Sequence, residues 1–310
     1  MSSTVLSPVR ATIPRVVTAA AEPALERIVL DAADWQGREA AHLERAHALT
    51  AEHRARASRQ ETHPIWDFLF TYYSYKPGIL NRWHPGAGVE LEGAVDTPRA
   101  AWRWHMPGRA HRSVTVDAEA MQRDKGTSLD VIERILRQTA ARPGSFGCFG
   151  LHEWAMVYRQ GEHRHPVPLR LGQDATDAVV EAHELRCTHF DAFRFFTPDA
   201  VPRNRDQPSR EQQPVLEQPG CLHAGMDVYK WAVKLGPLVP GEVLLDAFEL
   251  ARDIRLLDMR ASPYDMRPWG AEPIAIETAD GKAEYVRAQR GFAERSNELR
   301  RRMLAAWHGA

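Results

Sequence analysis

Histidine and carboxylate side chains are concentrated between residues 152 and 227, and their spacing could bring several of them together. His223 and Asp227 are four residues apart, so on a helix they share one face, which Lys230 continues. Imidazole and carboxylate ligands suit Fe, Mn or Zn, and such pairs on neighbouring helices are a common way to build a metal centre. The pattern indicates a metal site, an acid–base site, or buried His–Asp hydrogen bonds that only satisfy polar groups.

A second candidate is the segment 188–196, whose alternating pattern predicts a strand. In a strand, His189, Asp191 and Phe193 share one side, which places an acid beside aromatic rings that could stack a planar ligand. We expect six side chains to converge in one cleft: His152, Glu153, His189, Asp191, His223 and Asp227. If this cleft holds a metal, the expected ligands are His152, His189, Asp191, His223 and Asp227, although no H-E-x-x-H or Cys/His zinc motif is present. Glu153 or Lys230 would then act beside the ligands.

Residues 63–85 are the most aromatic part of the chain. They predict a helix that begins near Trp66, is apolar on most sides and ends at Pro77. Such a helix is either part of the core or an aromatic wall against which a planar ligand stacks. The candidate stacking residues, there and elsewhere, are Trp66, Tyr72, Tyr73, Trp102, Trp104 and Phe193.

The elements that would position these side chains are mostly helical. The predicted helices cover residues 24–60, 128–141, 222–235, 242–257 and 282–307, and the predicted short strands 88–91, 113–116, 149–158, 166–171 and 274–277. Residues 1–22 lack periodicity and predict a flexible leader, whereas 198–220, rich in Pro, Gln and Arg, predict a long surface loop. The expected fold is mainly α (α+β), a helix-dominated single domain over residues 23–310 with a small β-sheet.

Composition excludes some classes of function. The 310 residues carry a formal net charge of -1, so no field of the whole protein attracts nucleic acid, and any such contact must be local. No apolar run approaches the roughly 18 residues of a membrane helix, and no signal peptide is evident, which predicts a cytoplasmic protein without a membrane partner. Cys148, Cys187 and Cys221 lack a C-x-x-C spacing and predict reduced thiols. No obligate protein partner is indicated.

Six segments together resemble one actinobacterial family whose members are commonly described as 3-methyladenine DNA glycosylases. They are DFLFTYYSYKPGILNRWHPG (67–86), FGLHEWAMVYR (149–159), HPVPLRLG (165–172), THFDAFRFFTPDA (188–200), CLHAGMDVYKWAVKL (221–235) and MRASPYD (259–265). The resemblance extends from about Trp35 to Trp307. It implies hydrolysis of the N-glycosidic bond of alkylated purines in damaged DNA, without a metal cofactor.

This resemblance implies a carboxylate that stabilises an oxocarbenium-like sugar and a local basic surface for the DNA backbone. Asp191, Asp227 and Asp258 are the carboxylate candidates, with Glu153 and Lys230 as further catalytic candidates. The candidate DNA contacts are Arg203, Arg205, Arg210, Lys230 and Lys234. The turn at 235–241 between two predicted helices is also somewhat like the helix-hairpin-helix of DNA repair glycosylases, with Asp253 or Asp258 at the catalytic spacing, but Glu242 replaces its usual second glycine.

Two other classes of function stay open at this stage. The first is a His/carboxylate enzyme that uses a divalent Fe, Mn or Zn ion and acts on a planar small molecule. The second is a protein that binds a small molecule in an aromatic pocket and performs no chemistry.

Overall fold

The computed structural model describes residues 28–308, except 162, 164 and 165. Helices make up 59% of the structure and strands 6%, which confirms the helix-dominated fold with a small sheet. The predicted leader at 1–22 lies outside the described residues, and the single domain over 23–310 stays a prediction. None of the helices within the described ranges combines the length and apolar character that a membrane crossing requires.

The helices vary widely in length. They are α1 (Ala32–Ser58), α2 (Phe68–Tyr72), α3 (Ala118–Ala141), α4 (Leu151–Ala155), α5 (Gln173–Glu181), α6 (Phe190–Phe193), α7 (Gln213–Leu216), α8 (Leu222–Leu235), α9 (Gly241–Ala261) and α10 (Ala279–His308). Helices α8, α9, α10, α3 and α1 pack on one another around the largest apolar cluster. Packing against several neighbouring helices is how a helix that is apolar on most sides becomes buried.

Helix α8 is buried along almost its whole length, with Met226 and Tyr229 fully enclosed by the core. His223 and Asp227 lie on the same helix and are therefore buried as well. Because a buried polar group costs free energy unless it has a partner, the core around α8 must supply partners for both. The neighbouring helix α9 follows after a tight turn at Gly236–Leu238.

The four short strands form one mixed sheet in the order β1-β2-β4-β3, where β1 is Ile28–Leu30, β2 Val89–Leu91, β3 His105–Pro107 and β4 Val114–Val116. Strand β1 pairs with β2 in parallel, and the other pairs are antiparallel. The predicted strands at 88–91 and 113–116 are thus confirmed. The sheet has its own apolar cluster around Trp35, Trp83 and Leu91, separate from the core around α8.

The predicted strand at 188–196 is wrong, because these residues contain the one-turn helix α6. The backbone N–H of Phe193 donates to the carbonyl of His189 over 2.9 Å, so the chain coils there. The predicted strand at 149–158 is wrong too: Gly150, with φ of 72°, turns the chain into helix α4. Short apolar runs fit both the helical and the strand period of hydrophobic residues, so the alternation of aromatic residues at 188–196 could not distinguish a helix from a strand.

The remaining errors concern where three predicted helices begin or end, and two predicted strands that do not form. The carboxylate of Asp31 caps α1, accepting from the N–H of Asp34, so this helix begins well after residue 24. Asp117 caps α3 in the same way and starts it ten residues before the predicted position 128. The aromatic helix is reduced to α2, and Pro77 begins a 3-10 turn instead of ending a helix. The predicted strands at 166–171 and 274–277 are wrong, because both segments have irregular backbone, apart from an isolated bridge at Leu169.

The predicted surface loop at 198–220 is only partly exposed. It includes helix α7, and Glu217 and Gln218 at its end are buried. The guanidinium of Arg142 donates to the carbonyl of Glu217 over 2.8 Å. The second half of this segment is therefore anchored in the protein, and it brings a carboxylate to the core.

Candidate metal centre

Three buried side chains from three helices converge beside the core: His152 on α4, His223 on α8 and Asp258 on α9. One ligand atom from each lies within 4.8 Å of the other two. The short helix α4 is held against the end of α9 because the indole N–H of Trp154 donates to the carbonyl of Ala261 over 2.9 Å. We call these three residues the triad.

The ligand atoms of His152 and Asp258 form a buried ion pair and are also spaced as two ligands of one ion would be. Nε2 of His152 and Oδ1 of Asp258 are 3.0 Å apart. Burial alone would lower the pKa of His152, but the charge of Asp258 and its contact with the imidazole raise it, so the two side chains form a buried ion pair. Two ligand atoms that each lie about 2.1 Å from the same ion, with a ligand–ion–ligand angle of about 90°, are about 3.0 Å apart. An ion bound between them would replace the proton that His152 holds in this pair.

The third member of the triad faces the other two. The ring of His223 is 4.5 Å from that of His152, centroid to centroid, and almost perpendicular to it. Burial, together with the nearby His152, holds the pKa of His223 well below its ordinary value. His223 is therefore neutral at physiological pH, which is the form of imidazole that binds metals.

An arginine orients the carboxylate of the triad. Nη1 of Arg255 donates to Oδ2 of Asp258 over 3.1 Å and to Oε1 of Glu153 over 3.2 Å, and its guanidinium lies 3.7 Å from the ring centroid of Phe68. Burial alone would raise the pKa of Asp258, but the ion pair with His152 and the neighbouring Arg255 together lower it. Asp258 is thus ionised with Oδ1 turned toward His152, and partners of this kind fix metal ligands in place.

A second group of buried residues lies on the other side of His223. The ring of His189 is 5.3 Å from that of His223, and its Nε2 is 3.1 Å from Oε1 of Glu217 and 3.3 Å from Oδ2 of Asp227. Their ligand atoms also lie within 4.8 Å of one another. Burial would lower the pKa of His189, but its hydrogen bonds and ion pairs with the two carboxylates raise it to about 9.

In this second group, Asp227 has a donor on each of its two oxygens. The hydroxyl of Tyr73 donates to Oδ1 over 2.8 Å, while Lys230 and His189 contact Oδ2. Burial opposes ionisation of Asp227, but Lys230 and His189 still lower its pKa. The second group is therefore an ion-pair network around a protonated histidine, whereas the triad contains the neutral imidazole of His223, the form that binds metals.

The structure brings together four of the six residues expected to converge. His152, His223, His189 and Asp227 form a continuous chain of contacts. Glu153 reaches this chain only through Arg255. Asp191 lies beyond Lys230, where it contacts Arg194, Arg210 and Lys230 at 3.3 to 3.8 Å. Sequence reasoning missed Glu217 and Arg255 as members of the site.

The candidate stacking residues are dispersed. Tyr73 contacts Asp227, and Tyr72 packs against Tyr73 with ring centroids 4.9 Å apart. The other four have different neighbours: Trp66 packs in the cluster around Ile65, Trp102 against His84 and Arg99, Trp104 against Arg103 and Asp124, and Phe193 against Phe196. Only the two tyrosines lie beside the buried carboxylates.

Most candidate DNA contacts are engaged within the protein. Arg203 donates to the carbonyl of Glu181, while Arg205 pairs with Asp206, Arg210 with Asp191, and Lys230 with Asp227. Lys234 lies over the ring of Trp231, 5.3 Å from its centroid, and burial together with the charge of Lys230 lowers its pKa. Of these five side chains, Arg203 and Lys234 have no carboxylate in ion-pair contact among the described residues.

The turn before α9 faces the protein interior. The N–H of Gly241 donates to the carbonyl of His84 over 2.8 Å, and a Cβ at this position would lie 2.7 Å from the ring of Trp83. The carboxylate of Glu242 accepts from the indole N–H of Trp83. Asp253 pairs with Arg295 on the surface. The backbone N–H of Gly241 is therefore used inside the protein.

Comparisons with known proteins leave the chain without a match: no family model fits it, and no curated protein or solved structure is similar to it. The glycosylase resemblance stays a prediction.

Proposed function

We propose that the protein is a metal-dependent enzyme in which His152, His223 and Asp258 hold one divalent ion. The observation that supports this most directly is the convergence of three buried side chains from three helices, whose ligand atoms lie within 4.8 Å of one another. Two imidazoles and a carboxylate are the ligands of non-haem Fe(II) oxygenases and, as His₂Glu, of zinc hydrolases. Three protein ligands leave coordination positions open, which is typical of catalytic rather than structural sites.

The residues around the triad supply the rest of the chemistry in this proposal. Arg255 fixes Asp258 and keeps one of its oxygens for the ion. His189 is protonated at neutral pH, because its pKa is about 9, and its Nδ1 has no hydrogen-bond partner in the part of the chain that is described. A proton on this atom is available to a reacting group, so we assign His189 as the acid. Tyr72 and Tyr73 offer rings to a planar small-molecule substrate.

Metal content tests the proposal. The protein is stripped with a chelator, reloaded separately with Fe(II), Mn(II) or Zn(II), desalted, and analysed by elemental mass spectrometry. We expect one ion per chain in the wild type and a loss of most of it in His152→Gln. The control is Asp67→Asn, which removes another buried carboxylate, paired with Arg56 and His53 away from the triad. A wild type that retains no ion, or a His152→Gln variant that retains as much as Asp67→Asn, would overturn the proposal.

A DNA glycosylase is the second candidate. It is favoured by the basic side chains around Asp191, which include Arg194, Arg210 and Lys230, and by the ionised Asp227 beside Tyr73. In this candidate the carboxylate of Asp227 would stabilise the developing positive charge on the sugar, and no metal would be needed. The test is release of methylated bases from alkylated duplex DNA by chelator-treated protein. Base release that requires metal, or no base release at all, would exclude this candidate.

A further inference from the structure

Three basic side chains share one carboxylate beside α6 and α8, and a fourth lies next to them. Oδ1 of Asp191 is 3.3 Å from Nε of Arg194 and 3.4 Å from Nη2 of Arg210. Its other oxygen is 3.8 Å from Nζ of Lys230 on α8, and Lys234 follows about one turn later on the same helix. We call these four basic side chains the basic cluster.

The basic cluster carries more charge than the carboxylates in contact with it. Lys230 also pairs with Asp227, whereas Lys234 has no ion-pair partner among the described residues. Burial, together with the charge of Lys230, lowers the pKa of Lys234. Glu211, the next carboxylate along the chain, is exposed and accepts from the hydroxyl of Ser209. Four basic groups against two carboxylates leave an excess of two positive charges, on a chain whose net charge is -1.

The two arginines of the cluster have donors to spare. Strong charge-assisted hydrogen bonds are about 2.7–2.9 Å long, whereas Arg194 and Arg210 approach one shared oxygen of Asp191 at 3.3 and 3.4 Å. A guanidinium has five N–H donors, and Asp191 is the only ion-pair partner that either arginine has within the described part of the chain. The side chains are 44% and 64% exposed, so an anion from solvent can reach the remaining donors.

Aromatic rings hold the cations of the cluster in place. Each cation lies 4.3 to 5.3 Å from the centroid of a ring: Arg194 over Phe195, Arg210 over Phe190, and both Lys230 and Lys234 over Trp231. Such cation–π contacts restrict long side chains, so less conformational entropy is lost when an anion binds them.

We propose that the basic cluster binds the phosphate group of a small phosphate monoester. At neutral pH such a phosphate carries almost two negative charges and three acceptor oxygens, which match the excess charge of the cluster and its unused N–H groups. The planar fork of a guanidinium binds two phosphate oxygens at once. A phosphodiester of a nucleic acid backbone carries one negative charge and would leave half of the excess uncompensated.

This phosphate site is separate from the candidate metal centre. Lys234 lies about three turns along α8 from His223, which is roughly 16 Å along the axis at 1.5 Å per residue. The buried Asp227 lies between them on the same helix. Binding of the phosphate therefore does not depend on an ion at the triad.

The first experiment compares a monoester with the matching diester. Methyl phosphate and dimethyl phosphate are titrated at constant ionic strength and about pH 8 into protein from which metal and chelator have been removed, with phosphorus NMR as the readout. We expect methyl phosphate to bind the wild type saturably and dimethyl phosphate to bind roughly tenfold more weakly or less. Methyl phosphate should bind Arg210→Gln and Lys234→Gln roughly tenfold more weakly than the wild type, because each variant loses a charged partner of the phosphate.

The matched control is Arg267→Gln. Arg267 is comparably exposed and pairs with a single carboxylate, that of Asp265, so its loss should leave the affinity for methyl phosphate unchanged. Three results would each overturn the phosphate site: no saturable binding of methyl phosphate to the wild type, equal binding of dimethyl phosphate, or an equal loss of affinity in Arg267→Gln and Arg210→Gln.

The second experiment distinguishes a small monoester from DNA. A DNA duplex without terminal phosphates, which offers diesters alone, is added to the wild type with bound methyl phosphate. We expect the duplex to displace methyl phosphate only at a concentration of phosphate groups roughly tenfold higher or more. A duplex that displaces it at an equal or lower concentration of phosphate groups would assign the basic cluster to the DNA backbone and overturn the monoester site.

Discussion

The ion-pair network of His189 makes the stability of the metal-free protein depend on pH. This imidazole faces Glu217 and Asp227, with Lys230 behind Asp227 and the neutral His223 on its other side. Its pKa is about 9 in the folded protein, against 6.5 as the ordinary value. Because folding raises the pKa, the stabilisation is fully present below pH 6.5 and is lost as the pH rises through 9.

The size of this effect follows from the two pKa values. A rise from 6.5 to about 9 corresponds to roughly 3 kcal/mol of folding free energy at low pH. Most of it, about 2–3 kcal/mol, disappears between pH 6.5 and pH 9. Urea unfolding of chelated protein at these two pH values measures the loss, as a lower midpoint with an unchanged slope.

Two variants decide whether His189 is responsible. His189→Gln keeps a hydrogen-bond donor but cannot titrate, so its unfolding free energy should change little over the same pH interval. His42→Gln is the matched control: His42 is a buried histidine that contacts the carbonyl of Leu80, and burial lowers its pKa, so it does not titrate in this interval. The reasoning is refuted if His189→Gln loses as much stability as the wild type and His42→Gln.

Three other variants test the site. Asp258→Asn leaves Arg255 with a single carboxylate, so we expect the unfolding free energy to fall by about 3 kcal/mol. Metal affinity should fall by more than the roughly 10–100-fold lost when a residue that only supports a ligand is changed. A metal titration that gives wild-type affinity would contradict the assignment of Asp258 as a ligand. Asp227→Asn should leave the metal content unchanged, and if the protein is a glycosylase it should lower base release from methylated DNA by roughly 10²-fold; unaltered release would remove this carboxylate from the chemistry. The double variant Lys234→Gln/Arg210→Gln should make the slope of log affinity for DNA against log salt shallower, by the amount expected for the loss of about one or two phosphate contacts. An unchanged slope would show that DNA does not contact these two side chains.

The helices that bury a continuous apolar stripe could be predicted from the sequence. Helix α8 has the bounds predicted for it, 222–235, because its apolar residues recur with the helical period and Gly236 follows directly. The segments around the other site residues are too short for a period to be established. Residues 149–158 and 188–196 therefore gave wrong strands, where the structure has the short helices α4 and α6.

The candidate site could be predicted only where its residues share one element. The common face of His223, Asp227 and Lys230 follows from spacing along α8, and Lys230 does bond Asp227. The partner of His152 is Asp258, more than one hundred residues away, and no local pattern links them. Glu217 lies in a segment whose composition is typical of a surface loop, so its burial depends on tertiary packing alone.

The anchored half of that segment also determines where the chain tolerates cutting. Glu211 and Gln212 are exposed, whereas 217–220 are buried and bonded to Ser145, Arg142 and Gln289. A protease that cleaves after Arg210 would cut exposed backbone, and the two fragments would stay joined by the packing of α7 and α10 against α3 and of α9 against α1. The nicked protein should therefore run as one species in a native gel and as two in denaturant. The same position suits an inserted tag, whereas an insertion six residues later would push Glu217 away from His189.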